Sequence, residues 1–262
     1  MSMLLLTTMT MTAQLTTRIT NNVGAGKVTK GDSMKNILLD MLALNTIAPT
    51  YTAPTTTISS TITAGNYEIG SALNSTLSST FTQNDAGALS TTIYYKNAVA
   101  LGSNTDNITS LTTTANYIVT KTYAQGPCKT NNVGATDCTG RISAGTVTSA
   151  ALTLTPLPKV YYGFASTQTP IDAQIRALTG SLRGSLGTIS GSFGAQSGTY
   201  LVISYPASFP DLTSILVGGF ESISSFTKTT ASLTNDQSYT QSYKKYISNF
   251  SYTTSSVTLS AQ

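Results

Sequence analysis

The side chains that perform most protein chemistry are scarce in this sequence and widely spaced. Of its 262 residues none is histidine, which removes His-based triads, imidazole acid–base catalysis and His-ligated metals. The carboxylates number 10 and fall singly in turn-like or cap-like contexts, among them Asp85, Asp106, Asp172 and Asp211. None sits in the Asp-x-Asp-x-Asp-Gly run of a calcium loop. Glu68 and Glu221 are the only glutamates. A glycosidase needs two carboxyls about 5 to 9 Å apart, and nothing in the spacing of these two predicts that. Gly24-Ala25-Gly26-Lys27 has the look of a phosphate loop but fails its pattern. The first glycine would fall on Asn21, and Val28 stands where Ser or Thr should hold magnesium. No catalytic, cofactor-binding or metal-binding residue is expected, and no cofactor.

The two cysteines, Cys128 and Cys138, flank the loop KTNNVGATD. A disulfide between them would staple a hairpin in an oxidising setting, whereas two reduced thiols fit assembly in a cytosol. Zinc is the weakest reading, because no histidine and no second cysteine pair is present to complete a ligand set.

The elements that carry these residues are predicted to be strands. Charged residues make up 9% of the chain, against about 25% in ordinary domains, so charge does not supply its polarity. Hydrophobic residues still reach 40%, tyrosine is abundant at 14, and Thr and Ser provide most of the rest. That composition suits pleated, half-exposed surfaces and predicts a mainly β protein. Its length predicts two or three compact units. The net charge of +4 is diffuse; only Lys244 and Lys245 form an adjacent basic pair, so nucleic acid is not an expected partner. The apolar runs are far shorter than the 18 or so residues of a membrane span. The first residues, MSMLLLTTMTMTAQ, lack the basic start and full apolar stretch of a signal peptide.

Along the chain, 1–20 is extended and Thr-rich, either a strand added to a partner or an irregular arm. Both chain ends are expected to pack against other chains of an assembly. Asp32 or Ser33 caps a predicted helix over 33–44, with Met34, Ile37, Leu38, Met41 and Leu42 on one face. That stripe would bury in a core or against a neighbouring subunit as an anchoring face. Pro49 and Pro54 end this region, which we place at 1–55. Residues 56–155 then read as short strands with turn signals between them (57–63, 67–69, 76–82, 89–96, 117–123 and 146–154). They predict an immunoglobulin-like β-sandwich in architecture only, since its tryptophan and inter-sheet cystine are missing.

The remainder, 156–262, predicts a second β-rich domain with one or two short helices. In KVYYGFAS (159–166), Val160, Tyr162 and Phe164 alternate as in a half-buried strand. Thr169 and Pro170 offer an N-cap and first turn for a helix bearing Ile171, Ile175 and Leu178. The apolar run Leu201-Val202-Ile203 predicts a second strand ending at Tyr205-Pro206, paired with the first in one core. The Gly/Ser-rich stretch 180–198 reads as a long loop, and 208–215 as one helical turn. Further strands are expected at 216–217, 222–228, 239–248 and 257–260.

The runs VGAGKVTKGDSMKNILLDML, YEIGSALNSTLSSTFTQNDAGAL, RISAGTVTSAALTL, KVYYGFAS with IRAL, and YLVISYPASFPDLTSI together resemble the modular structural proteins of tailed bacteriophages. The resemblance spans about Val23 to Leu259 and excludes the cysteine loop. It implies a helix leading into an immunoglobulin-like domain and a closing C-terminal β domain, in an oligomeric fibre, tail-associated or capsid-decoration protein. It carries over no catalytic residue. The partners it implies are copies of the chain and other virion proteins, in a virion assembled in the bacterial cytoplasm, without membrane insertion. The competing expectation is a carbohydrate-binding surface or receptor-binding module working through Tyr and Ser/Thr faces.

Overall fold

The structure, a computed structural model, describes residues 47–262 apart from Val133. The expected N-terminal arm and the helix face Met34, Ile37, Leu38, Met41 and Leu42 lie outside the described residues. The mainly β class holds, with strands accounting for 53% and helix for 4% of the described residues. Two compact units are present. The first holds 47–55, 82–91 and 122–147 of the described chain, and the second Thr56–Phe81, Thr92–Lys121 and Thr148–Gln262.

In chain order the first strands are β1 (Thr55–Ser60), β2 (Gly65–Glu68), β3 (Leu73–Thr82), β4 (Leu89–Lys96), β5 (Val99–Ala100), β6 (Thr105–Ile108) and β7 (Ala115–Tyr123). After them come β8 (Lys129–Thr130), β9 (Thr136–Asp137), β10 (Gly145–Thr148) and β11 (Leu152–Leu157). A three-stranded sheet, β1-β3-β6, faces a sheet ordered β2-β11-β7-β4-β5, with β10 also on β7. Leu77, Ile108, Leu111, Ala115, Tyr117 and Leu154 fill the space between them. Buried positions alternate with exposed ones along β3 and with more exposed ones along the first part of β7, the period-two pattern of a sandwich. Hydroxyls pair across β1 and β3 at 2.7 Å, Ser59 with Ser78 on the exposed face and Ser60 with the buried Ser75.

The second half supplies β12 (Lys159–Ala165), α1 (Asp172–Arg176), β13 (Thr179–Leu182), β14 (Ile189–Phe193), β15 (Gln196–Pro206), β16 (Ile215–Val217) and β17 (Phe220–Glu221). A 3-10 turn (Ile223–Ser225), β18 (Phe226–Thr234), β19 (Thr240–Ser248), β20 (Tyr252–Thr254) and β21 (Val257–Ala261) complete it. One sheet runs β13-β12-β15-β19-β18 with β20 on β15, and the other runs β14-β21-β16-β17. Between them lies the largest apolar cluster, which includes Val160, Ile189, Leu201, Ile203, Tyr205, Ile215 and Leu259. On the far side of the larger sheet α1 sets Ile175 against Tyr161, Leu233 and Tyr243.

The expected pairing of the two central strands is present, from Tyr161↔Ser204 to Ala165↔Tyr200. Other expectations need correction. β12 is buried on both faces, because α1 covers the side that alternation assigned to solvent; Tyr161 is 0% exposed. The helix begins two residues later than Thr169-Pro170 suggested. Ile171 is its N-cap, and the Gln174 side chain accepts the Ile171 N–H at 3.0 Å. Thr169 stays exposed in a bend. Within 180–198 the chain forms β13 and β14, since β12 and β21 each offer it a strand edge to pair. Residues 208–214 form an irregular connection rather than a helix, and Ile215 already belongs to β16; Pro210 supplies no N–H there.

The two halves of the second unit are joined by more than the covalent chain. The Tyr161 hydroxyl donates to Glu68 Oε1 at 3.3 Å, and Asn235 Nδ2 donates to the Ile69 carbonyl at 2.7 Å. Gly70 lies so close to Tyr239 that a Cβ there would overlap the tyrosine Cβ.

Candidate functional site

The carboxylates, where chemistry would have to begin, serve as clamps. Asp211 bridges Lys228 at 2.7 Å and Lys244 at 2.8 Å, and these two cations, Lys228 first, lower its pKa to about 2. Asp106 takes Lys96 at 2.8 Å and the Tyr117 hydroxyl at 2.5 Å. Burial pushes it upward, but these donors outweigh burial and hold it below the usual range. The Tyr117 hydroxyl is raised, by burial first and then by its carboxylate partner. Asp236 links Arg176 at 3.0 Å to Lys159 at 3.5 Å. Asp172 accepts the Thr234 N–H at 2.9 Å and faces Lys245 at 3.8 Å.

The two glutamates are engaged separately. Glu68 receives Tyr161. Glu221 gathers the Ser214 hydroxyl and the N–H groups of Ile215, Ser222 and Ile223, which lower its pKa. Each is held by a different set of donors, so their geometry is that of turn and strand fasteners. Among the described residues no group of three or more His, Cys, Asp or Glu side chains could hold a metal. No helix among them is long and apolar enough to cross a membrane.

In the first unit Cys128 and Cys138 form a disulfide with Cα atoms 4.5 Å apart. It flanks the two-residue strands β8 and β9, paired as Lys129↔Asp137 and Thr130↔Thr136. The turn beyond them is closed by Asn131, whose side chain accepts the Ala135 N–H at 2.9 Å. A tyrosine that the sequence did not single out closes the open end. Tyr51 donates its hydroxyl proton to the Asp137 carbonyl at 2.8 Å and accepts the Lys129 N–H at 2.9 Å. Lys129 Nζ reaches the Thr50 carbonyl at 2.9 Å and Asp85 at 2.7 Å, and lies 5.0 Å from the centre of the Tyr51 ring. Asp85 in turn accepts the Thr52 N–H at 2.7 Å; Lys129 first, then this amide, keeps its pKa low. The position of Tyr51 between Pro49 and Pro54 was the available signal, because a stiff extended stretch presents one side chain in a fixed direction.

Aromatic rings line one side of the C-terminal sandwich. Tyr162 and Phe193 lie 6.4 Å apart, Phe193 and Phe164 5.3 Å, Phe164 and Tyr252 5.6 Å, and Tyr252 and Phe250 5.0 Å. The row is half-buried until Phe250, which is exposed. The edge-to-face contacts in this row are those aromatic quadrupoles favour. Elsewhere, Gly218 and Gly219, at φ of 61° and 85°, make the tight turn between β16 and β17 that leaves Phe220 79% exposed. Tyr162, Phe164, Phe193 and Tyr252 pack against the apolar cluster of this sandwich, and Phe250 is the ring of the row that faces solvent. The chain matches no protein-family model, no curated protein and no solved structure.

Proposed function

We propose that this chain is a non-enzymatic structural component of a bacteriophage virion. Its N-terminal region anchors it to the particle or to its own copies, and its β domains project as a fibre, tail-associated or capsid-decoration element. One observation favours a structural over a catalytic role: the carboxylates described above are each committed to fastening strands and turns, most of them against a lysine or arginine. The virion setting rests on the resemblance of segments across 23–259. Mass spectrometry of particles purified from cultures that produce this chain tests the reading. It should be found at many copies per particle, retained through density banding. Recovery only in the particle-free fraction would refute it.

A second reading, a receptor-binding module for surface carbohydrate, is favoured by the aromatic row ending at the exposed Phe250. Exposed rings stack on the C–H faces of sugars, and Ser and Thr hydroxyls can pair with sugar hydroxyls. A glycan array with the intact chain tests it. Selective binding weakened about fivefold or more by Phe250→Ala supports it, since one stacked ring contributes roughly 1 kcal/mol. No selective binding would exclude it.

A further inference from the structure

We propose that the Cys128–Cys138 disulfide is a thiol-exchange site that locks residues 47–53 to the first unit, so that an external thiol releases this strap. The proposal stands on three features, all within that unit.

The first is the shape of the hairpin. Strands β8 and β9 have two residues each, far too few for a hairpin to stand alone in water. The disulfide at their open end therefore sets the distance between Lys129 and Asp137. Tyr51 bridges those same two residues with one hydroxyl. The strap is thus held at a point whose geometry the disulfide controls. Around it the Ile47 N–H donates to Asn132 Oδ1 at 2.6 Å, Asn84 Nδ2 donates to the Ala53 carbonyl at 2.7 Å, and Lys129 holds Thr50. When the hairpin opens, one hydroxyl can no longer reach both strands, and Lys129 leaves Thr50 and Asp85 with its backbone.

The second feature is access. Cys138 is exposed and Cys128 half-buried, so a thiolate from solvent meets the Cys138 sulfur first. The third is the leaving group. Arg141 Nη1 donates to Cys128 Sγ at 3.6 Å. A guanidinium there stabilises a departing thiolate, and exchange is faster when the leaving thiol is the more acidic.

The chemistry balances with an external thiol as co-reactant. Its thiolate attacks Cys138 Sγ, an S–S bond forms to Cys138, the Cys128–Cys138 bond breaks, and the electron pair leaves on Cys128 beside Arg141. A second external thiolate attacks the mixed disulfide at the external sulfur. It releases the Cys138 thiolate and the oxidised small thiol. The strap and its partners lie within the first unit, so exchange would release residues 47–53 while the second unit stays folded. The lock stands whether or not the chain belongs to a virion.

The full-length chain, oxidised, is treated with reduced glutathione, quenched with iodoacetamide and mapped by peptide mass spectrometry. Amide hydrogen exchange is followed in parallel. Glutathione should be trapped on Cys138, with the alkyl label on Cys128. Exchange at Thr52, Asp85 and Lys129 should rise at least about tenfold on reduction while β15 and β19 stay protected. Arg141→Gln should slow the first step about threefold, and Arg141→Lys should retain most of the rate. Tyr51→Phe should loosen the strap with the disulfide intact, which separates the lock from hairpin folding itself. Glutathione trapped on Cys128, unchanged protection of 47–53 after reduction, or an Arg141→Gln rate equal to that of the parent chain would each overturn the proposal.

Discussion

Replacing Ile175 with alanine should remove the layer that covers the back of the C-terminal sheet. Ile175 is the one buried residue of the five-residue helix α1 and is 0% exposed, packed against Tyr161, Leu233 and Tyr243. A helix this short has no stability of its own, so its place depends on that contact. The substitution deletes three carbons, worth about 2.5 kcal/mol at roughly 0.8 kcal/mol each. A cavity term of about 1 kcal/mol follows where tyrosine rings cannot collapse into the space. The expected loss is about 3 to 4 kcal/mol. Displacement of α1 would add to that loss, because α1 also carries Asp172 and Arg176, which hold the Thr234 N–H at 2.9 Å and the Thr234 carbonyl at 2.7 Å. Urea unfolding followed by far-UV circular dichroism and tyrosine fluorescence reads the change as a lower midpoint at similar slope. Ile171→Ala, at a residue 66% exposed, is the control and should stay within about 0.5 kcal/mol. An Ile175→Ala protein as stable as this control would refute the assignment of α1 as a structural cover.

Three more outcomes follow from individual contacts. Asp211 has a folded-state pKa of about 2, below its ordinary 3.8, so its stabilising effect is full above about pH 4 and is lost as the pH falls through about 2. Asp211→Asn should flatten the acid limb of a stability-against-pH curve in that window, and an unchanged limb would show that the bridge contributes nothing. At Gly126 a Cβ would overlap the Asp85 carbonyl oxygen, so Gly126→Ala should destabilise the first unit by more than about 2 kcal/mol. Gly102→Ala, where a Cβ meets nothing within 4 Å, should be near neutral by thermal melting. Ser204 Oγ is buried without a hydrogen-bond partner; Ser204→Ala should therefore match or raise the melting temperature, by up to about 1 kcal/mol of stability. A clear loss would mean that the hydroxyl is satisfied.

Composition and alternation made the class legible, because Thr, Tyr and Ser in period-two runs have few stable homes other than a sheet. The pairing of β12 with β15 could also be read, since Val160, Tyr162 and Phe164 alternate, Leu201-Val202-Ile203 form a compact apolar run, and proline ends the second. Less legible was whatever depended on a distant neighbour. The Gly/Ser-rich 180–198 looks like loop by itself and takes part in β13 and β14 only because β12 and β21 present edges to pair with. β12 looks half-buried until α1 covers Tyr161.

The candidate sites divide in the same way. The lack of histidine and the single, scattered acids are properties of the sequence, and so is the presence of just two cysteines. That each described acid clamps a frame, and that the disulfide lies under Tyr51, 78 residues before Lys129, are decided by the tertiary structure. Residue type sets which bonds a side chain can make. Only the folded chain decides which partner arrives within 3 Å or so, because hydrogen bonds fall off steeply with distance and local sequence does not encode long-range approach.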